Sequence, residues 1–186
     1  MDTLGTQLHS INQVQIPQQS DIILPQKLNP ELVEMLNARI GDEYTAHYFY
    51  RNAANWCADK GYVKAAAFFT AEAASELAHA DLIQNFMVGW NIIPFIPPVK
   101  MIPSFSNLID IVNRAYEMEY KLFISYNNSS LEAFTVDLAT FDFLQQLRQV
   151  QNNAVAEYSD LLNAAQLVNV SNNFEVLYYE NKYFKG

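Results

Sequence analysis

Four prolines crowd into one short stretch, Pro94, Pro97, Pro98 and Pro103. Proline lacks the amide hydrogen and clashes with the preceding turn, so these residues preclude regular helix from about residue 91 to 104. The segment reads as one long extended connection. On both sides of it the chain carries helical patterning, which divides the sequence into two helical halves joined by a crossover.

Asn29-Pro30-Glu31 reads as an N-cap, a proline at the first helical position and an acid favoured by the helix dipole. Leu32, Met35, Leu36, Ile40, Tyr44, Tyr48 and Trp56 then keep helical spacing as far as Asp59-Lys60-Gly61, where glycine can take the left-handed cap conformation. The first helix is therefore expected over about 30–58. From Tyr62 to about Trp90 the chain is rich in Ala, Phe, Leu and Glu and free of proline, which favours a second helix of similar length. Ser104 can cap a third helix, about 105–132, with a broad apolar stripe of Leu108, Ile111, Val112, Ala115, Met118, Leu122 and Phe123. A brief break near Phe134-Thr135 precedes a fourth helix, about 137–165, and Phe174 to Phe184 reads as a short fifth. Short turns make sequential helices antiparallel neighbours. The expected architecture is all-α, an up-down four-helix bundle with its long crossover between helices two and three.

Composition narrows what such a bundle can do. A chain of 186 residues, about half of them apolar, can bury one sizeable core, expected over 29–186. Residues 1–28 are polar, rich in Gln, Ser and Asn, and read as a flexible extension without a signal-peptide pattern. A formal charge of −9 disfavours nucleic acid and anionic membranes as partners. No apolar stretch approaches the roughly 20 residues that span a bilayer. Cys57 stands alone, so it makes no internal disulfide, and a reducing, cytoplasmic setting is expected.

The midpoints of the four expected helices fall near Glu43, Glu76, Glu119 and Gln151. In a bundle of equal antiparallel rods these midpoints lie at one level. His79, three residues after Glu76, shares its face. Three central glutamates lack an equivalent number of central lysines or arginines, and buried carboxylates are costly unless paired, hydrogen bonded or bound to metal. A pair of cations resolves the conflict. Oxygen ligands with one imidazole favour iron, zinc or manganese, with iron the expected choice. The bland alternative for any single one of these residues is a solvated helix face; only their coincidence on four helices points to a site.

Glu43-Tyr44-Thr45-Ala46-His47-Tyr48-Phe49-Tyr50, Trp56-Cys57, Glu76 with His79, Tyr116-Glu117-Met118-Glu119, Phe141-Asp142-Phe143-Leu144-Gln145 and Gln151 together resemble the ferritin family over about residues 28–184. The resemblance implies a ferritin-like fold and a di-iron centre that oxidises Fe(II) with dioxygen or peroxide for storage in a homo-oligomeric cage, usually of 24 subunits. It implies that Glu43, Glu76 and His79 hold one iron, that Glu76 bridges, and that Glu119 and Gln151 serve the other. Tyr50 would lie beside them as a hydrogen bonder or electron donor, its alternative being an ordinary core tyrosine. Gln151-Asn152-Asn153-Ala154 resembles the animal H-type arrangement rather than the symmetric bacterioferritin site. The places of a further bacterial iron site hold Ser75, Val150, Asn153 and Ala154, so a third iron is not expected. His47 is either an added ligand or a polar helix residue bonded to a neighbour. The competing functions are a miniferritin that protects DNA, a structural shell protein with little oxidase activity, and another di-metal carboxylate oxidase.

Overall fold

The structure is a computed structural model that describes residues 27–100 and 104–185. Most of the expected polar extension, residues 1–26, lies outside the described residues. Five helices follow in order: α1 (Pro30–Lys60), α2 (Val63–Gly89), α3 (Leu108–Val136), α4 (Leu138–Ala165) and α5 (Asn173–Tyr183). There is no strand among the described residues. No helix among them is long and apolar enough to cross a membrane.

The helix ends follow from local chemistry. At α1 the Asn29 side chain accepts from the Glu31 amide at 2.9 Å with Pro30 at the first position, as the sequence predicts. The helix ends where Gly61 adopts φ 81°, a left-handed conformation that glycine takes without Cβ strain. α2 ends with Asn91 at φ 59° and the Ile92 amide returning to the Met87 carbonyl at 3.1 Å, a left-handed cap filled by asparagine.

The third helix differs from expectation at both ends. Asn107, not Ser104, is its cap, accepting from the Asp110 amide at 2.8 Å; the Ser104 carbonyl instead accepts from Arg114. The helix then runs through Phe134 and Thr135 to Val136. Asp137 alone makes the break, because its carboxylate caps α4 through the Thr140 amide at 2.8 Å and the Thr140 hydroxyl at 2.6 Å.

α1 packs chiefly along α2, and α3 along α4. Pairs across the bundle fix the directions. Arg39 meets Ser129, Glu43 meets Tyr126 and Tyr50 meets Glu119, so α1 and α3 are antiparallel. The crossover lies against α1. The Phe95 amide donates to Asn37 at 2.8 Å, and a Cβ on Gly41 would stand 2.9 Å from the Pro97 ring. α5 and its C-cap seat Val176, Tyr179 and Phe184 in the core, and the Tyr179 hydroxyl donates to the Leu161 carbonyl at 2.8 Å.

The apolar interior is split. One cluster gathers Phe49, Ala53, Cys57, Phe69, Ile111, Val112, Leu161 and the α5 residues. The other gathers Leu32, Leu36, Ile40, Ile83, Met87, Tyr126, Leu144 and Leu147. Along α1 and α4 a polar layer falls between them, at Glu43 and Gln151.

Candidate metal centre

Each of the four long helices contributes to that layer. Glu43, Glu76, Glu119 and Gln151 are buried, at 1%, 5%, 1% and 4% exposure. His79 is half-buried one turn beyond Glu76, and its Nδ1 lies 3.1 Å from Glu76 Oε2 and 3.6 Å from Glu43 Oε2. One ligating atom from each of Glu43, Glu76 and His79 falls within 4.8 Å of the others. Glu119 and Gln151 form the adjoining half. The Gln151 amide donates to the Glu119 carboxylate and, at 3.0 Å, to the Glu119 backbone carbonyl.

Two buried phenols frame this arrangement reciprocally. The Tyr50 hydroxyl of α1 donates to Glu119 of α3, and the Tyr126 hydroxyl of α3 donates to Glu43 of α1. The Tyr50 ring stacks on Tyr158, 5.8 Å between centroids, and the Tyr158 hydroxyl donates to Glu72 Oε2 at 3.2 Å. Tyr126, Tyr158 and Glu72 were not singled out from the sequence. A signal existed: Tyr50, Tyr126 and Tyr158 each follow a polar-layer residue, Glu43, Glu119 and Gln151, by seven positions, two turns along the same helix face.

Electrostatics follow from burying three carboxylates beside one imidazole. Burial pushes Glu76 well above the usual carboxylate range; His79 opposes this, while Glu43 and Glu119 add to it. Burial likewise drives Glu119 up to about 7 against the donors Tyr50 and Gln151. At Glu43 burial is outweighed by the close approach of His79, Glu76 and Tyr126, which leaves its carboxyl below the usual range. Burial alone would lower His79, but its two carboxylate neighbours raise it to about 10. Burial of carboxylates with too few cationic partners thus favours their protonated forms and the protonated imidazole. Tyr50 and Tyr126 are pushed well above the ordinary phenol range by burial and by their carboxylate neighbours, so both remain donors.

The donor set fits hard or borderline divalent cations. Glu43 Oε2 is buried, makes no hydrogen bond, and lies on the side of His79. A buried carboxylate oxygen without a hydrogen bond, beside an imidazole and a second carboxylate, matches the demands of a cation with oxygen and nitrogen ligands.

The remaining sequence candidates add no carboxylate to the group. His47 Nδ1 lies 2.6 Å from the Ala73 carbonyl, the hydrogen bond of a polar helix residue to a neighbouring helix, outside the carboxylate group. Ser75 is exposed, with its hydroxyl 3.5 Å from His79 Nε2; Val150 and Asn153 are exposed and Ala154 is half-buried, and none of these side chains carries a carboxylate.

A family model described as the ferritin-like domain matches residues 33–168. A probable bacterial non-heme ferritin-like protein of Haemophilus influenzae is 22% identical over 137 residues, 73% of this chain and 83% of that protein. Among solved structures, an open pore ferritin from the hyperthermophilic archaeon Archaeoglobus fulgidus superposes with a TM-score of 0.79 at 20% identity, covering 86% of this chain and 100% of that one. Chlorobium tepidum ferritin superposes with a TM-score of 0.73 at 23% identity, covering 80% and 90%. The two superpositions establish the likeness of fold.

Proposed function

The chain belongs to the ferritin family, and from that premise we propose that it is an iron-storage subunit that oxidises Fe(II) to Fe(III) inside its own bundle. Iron is substrate and cargo here. Glu43, Glu76 and His79 hold one ferrous ion, Glu76 reaches toward a second, and Glu119 with Gln151 receives that second ion. Two ferrous ions release one electron each. Dioxygen takes both with two protons to give hydrogen peroxide, or peroxide takes both with two protons to give two waters.

The protein's part is to hold and exclude. The carboxylates and imidazole present ligands in a layer closed above and below by apolar side chains, where charge interactions are stronger than in water. Tyr50 keeps its proton and orients Glu119 as a hydrogen bonder. Protons on Glu76, Glu119 and His79 leave as cations bind, since ligands must be deprotonated. A net charge of −9 favours the approach of cations over anions.

The observation that carries the reading is the grouping of Glu43, Glu76 and His79 within one bundle, with a buried carboxylate oxygen left without a hydrogen bond. A grouping inside a single chain also favours this reading over a miniferritin, whose ligands lie between subunits. Storage further calls for a closed homo-oligomeric cage, proposed as 24 subunits in the cytoplasm. Ferrous iron added in air to the metal-free protein, followed by ferric absorbance, tests the chemistry. Oxidation well above the buffer rate, lost in a Glu76→Ala, His79→Ala double variant, is expected. Equal rates in wild type, variant and buffer would refute the oxidase and leave a structural shell.

A further inference from the structure

The two framing phenols do different work on their carboxylates. Glu119 has both oxygens occupied, Oε1 by Tyr50 and Oε2 by Gln151. Glu43 has only Oε1 hydrogen bonded, by Tyr126, while Oε2 accepts no hydrogen bond and faces His79, 3.6 Å from its Nδ1, and Glu76. We infer that Tyr126 is a positioning residue for the metal centre, fixing Glu43 so that it presents one oxygen, Oε2, to the cation shared with Glu76 and His79.

The tyrosine is suited to that task by its setting. Its ring is 1% exposed and packs in the cluster of Leu36, Ile40, Ile83, Leu144 and Leu147, so the hydroxyl has one place to go. Arg39, one turn before Glu43, points its terminal nitrogens at Asp42, 2.8 Å away, and at Ser129, 3.1 Å away, while the Glu43 Oε1 atom accepts from the phenol. A carboxylate free to turn binds a cation through one oxygen or both. One oxygen tied to a rigid donor across the bundle has its position fixed and one lone pair used, which favours the first. Tyr126 thereby biases Glu43 toward binding through one oxygen. The same heptad relation and the antiparallel course of α1 and α3 put Tyr50 on Glu119, so the pair of phenols forms a reciprocal brace across the site.

This inference rests on the metal-centre reading, and cobalt(II) alone, bound without oxygen, separates the two. Wild type is expected to bind Co(II) with visible d–d absorption, and the Glu76→Ala, His79→Ala variant is expected not to. Tyr126→Phe keeps the ring and should weaken binding by about 10- to 100-fold, the usual range for losing a group that orients a ligand. Its band intensity should also fall, because Glu43 then binds through both oxygens and the coordination number rises. In a Glu43→Gln background the Tyr126→Phe change should add no further loss, since the phenol acts through that carboxylate. Replacement of Tyr126 by a ring-fluorinated tyrosine retains the hydroxyl and the fold and should shift the band by changing the phenol's donor strength. Unchanged affinity and spectrum in Tyr126→Phe, or an equal loss in the Glu43→Gln background, would overturn the positioning role while leaving the metal centre intact. Absence of Co(II) binding by wild type would overturn both.

Discussion

Removing the Glu180 side chain should destabilise the start of α2 although the residue lies more than a hundred positions away. α2 begins at Val63 after Tyr62, which offers no side-chain cap, and its first turn carries no acid. The amides that a cap residue normally serves, those of the second and third helical positions, instead donate to Glu180 Oε1 of α5, from Lys64 at 2.6 Å and from Ala65 at 3.1 Å. Glu180 is thus an N-cap supplied through space, and its carboxylate also faces the positive end of the helix dipole. Ala65 is fully buried, so water does not readily replace the lost acceptor. A lost cap costs about 0.5–2 kcal/mol, and a hydrogen bond to a charged group about 1.5–3 kcal/mol. The two contributions overlap, because one oxygen serves both amides. Glu180→Ala should therefore cost about 2–3 kcal/mol, and Glu180→Gln, which keeps an acceptor and loses the charge, about half of that. Guanidinium unfolding at matched protein concentrations reads the total. Hydrogen exchange locates it, with faster exchange expected at Lys64, Ala65 and along α5. Glu180→Ala within about 0.5 kcal/mol of wild type, the ordinary range of surface changes, with unchanged exchange at those amides, would refute the capping argument.

Three further outcomes are expected. Gly41→Ala gains about 1 kcal/mol of helix propensity but sets a Cβ 2.9 Å from the Pro97 ring, so net stability should change little while protease cuts the displaced crossover faster; wild-type cleavage kinetics would count against the contact. Burial, with a smaller effect of Glu180, pushes the Cys57 thiol up to about 12 from an unfolded value near 9.0. Above pH 9 the unfolded chain loses that proton and the folded one keeps it, so Cys57 makes stability fall as pH rises from 9 toward 12. Iodoacetamide should accordingly leave the native thiol unmodified at pH 8 and label it in denaturant; rapid native labelling would contradict its burial. Glu119→Ala should lower anaerobic ferrous binding from two ions per chain to one, since Glu43, Glu76 and His79 remain together; an unchanged stoichiometry would remove Glu119 from the ligand set.

Local signals carried most of the fold. Asn29-Pro30 and Gly61 fix their helix ends through bonds to residues only a few positions away, so the sequence displays both partners. The prolines from Pro94 to Pro98 fall in the non-helical crossover for the same reason. Ser104 was misleading because serine and asparagine cap helices almost equally well; the choice fell to Asn107, whose acceptor meets Asp110 three residues on. The level of Glu43, Glu76, Glu119 and Gln151 was legible because antiparallel rods of equal length align their centres. What donates to those carboxylates was not. Tyr126 reaches Glu43 across 83 residues and Glu180 reaches Ala65 across 115, and helical periodicity gives the face of a residue without naming its partner on another helix. The heptad offset from Glu119 to Tyr126 places both on one face, and the antiparallel pairing of α1 with α3 then selects Glu43 as the acceptor.

Iron-edge anomalous diffraction from crystals of the protein soaked anaerobically in ferrous iron would locate the ions inside the bundle. One peak is expected among Glu43, Glu76 and His79 and a second between Glu76 and the Glu119–Gln151 pair, inside each bundle. Peaks confined to surface carboxylates, with the buried layer empty at saturating iron, would contradict the proposed centre.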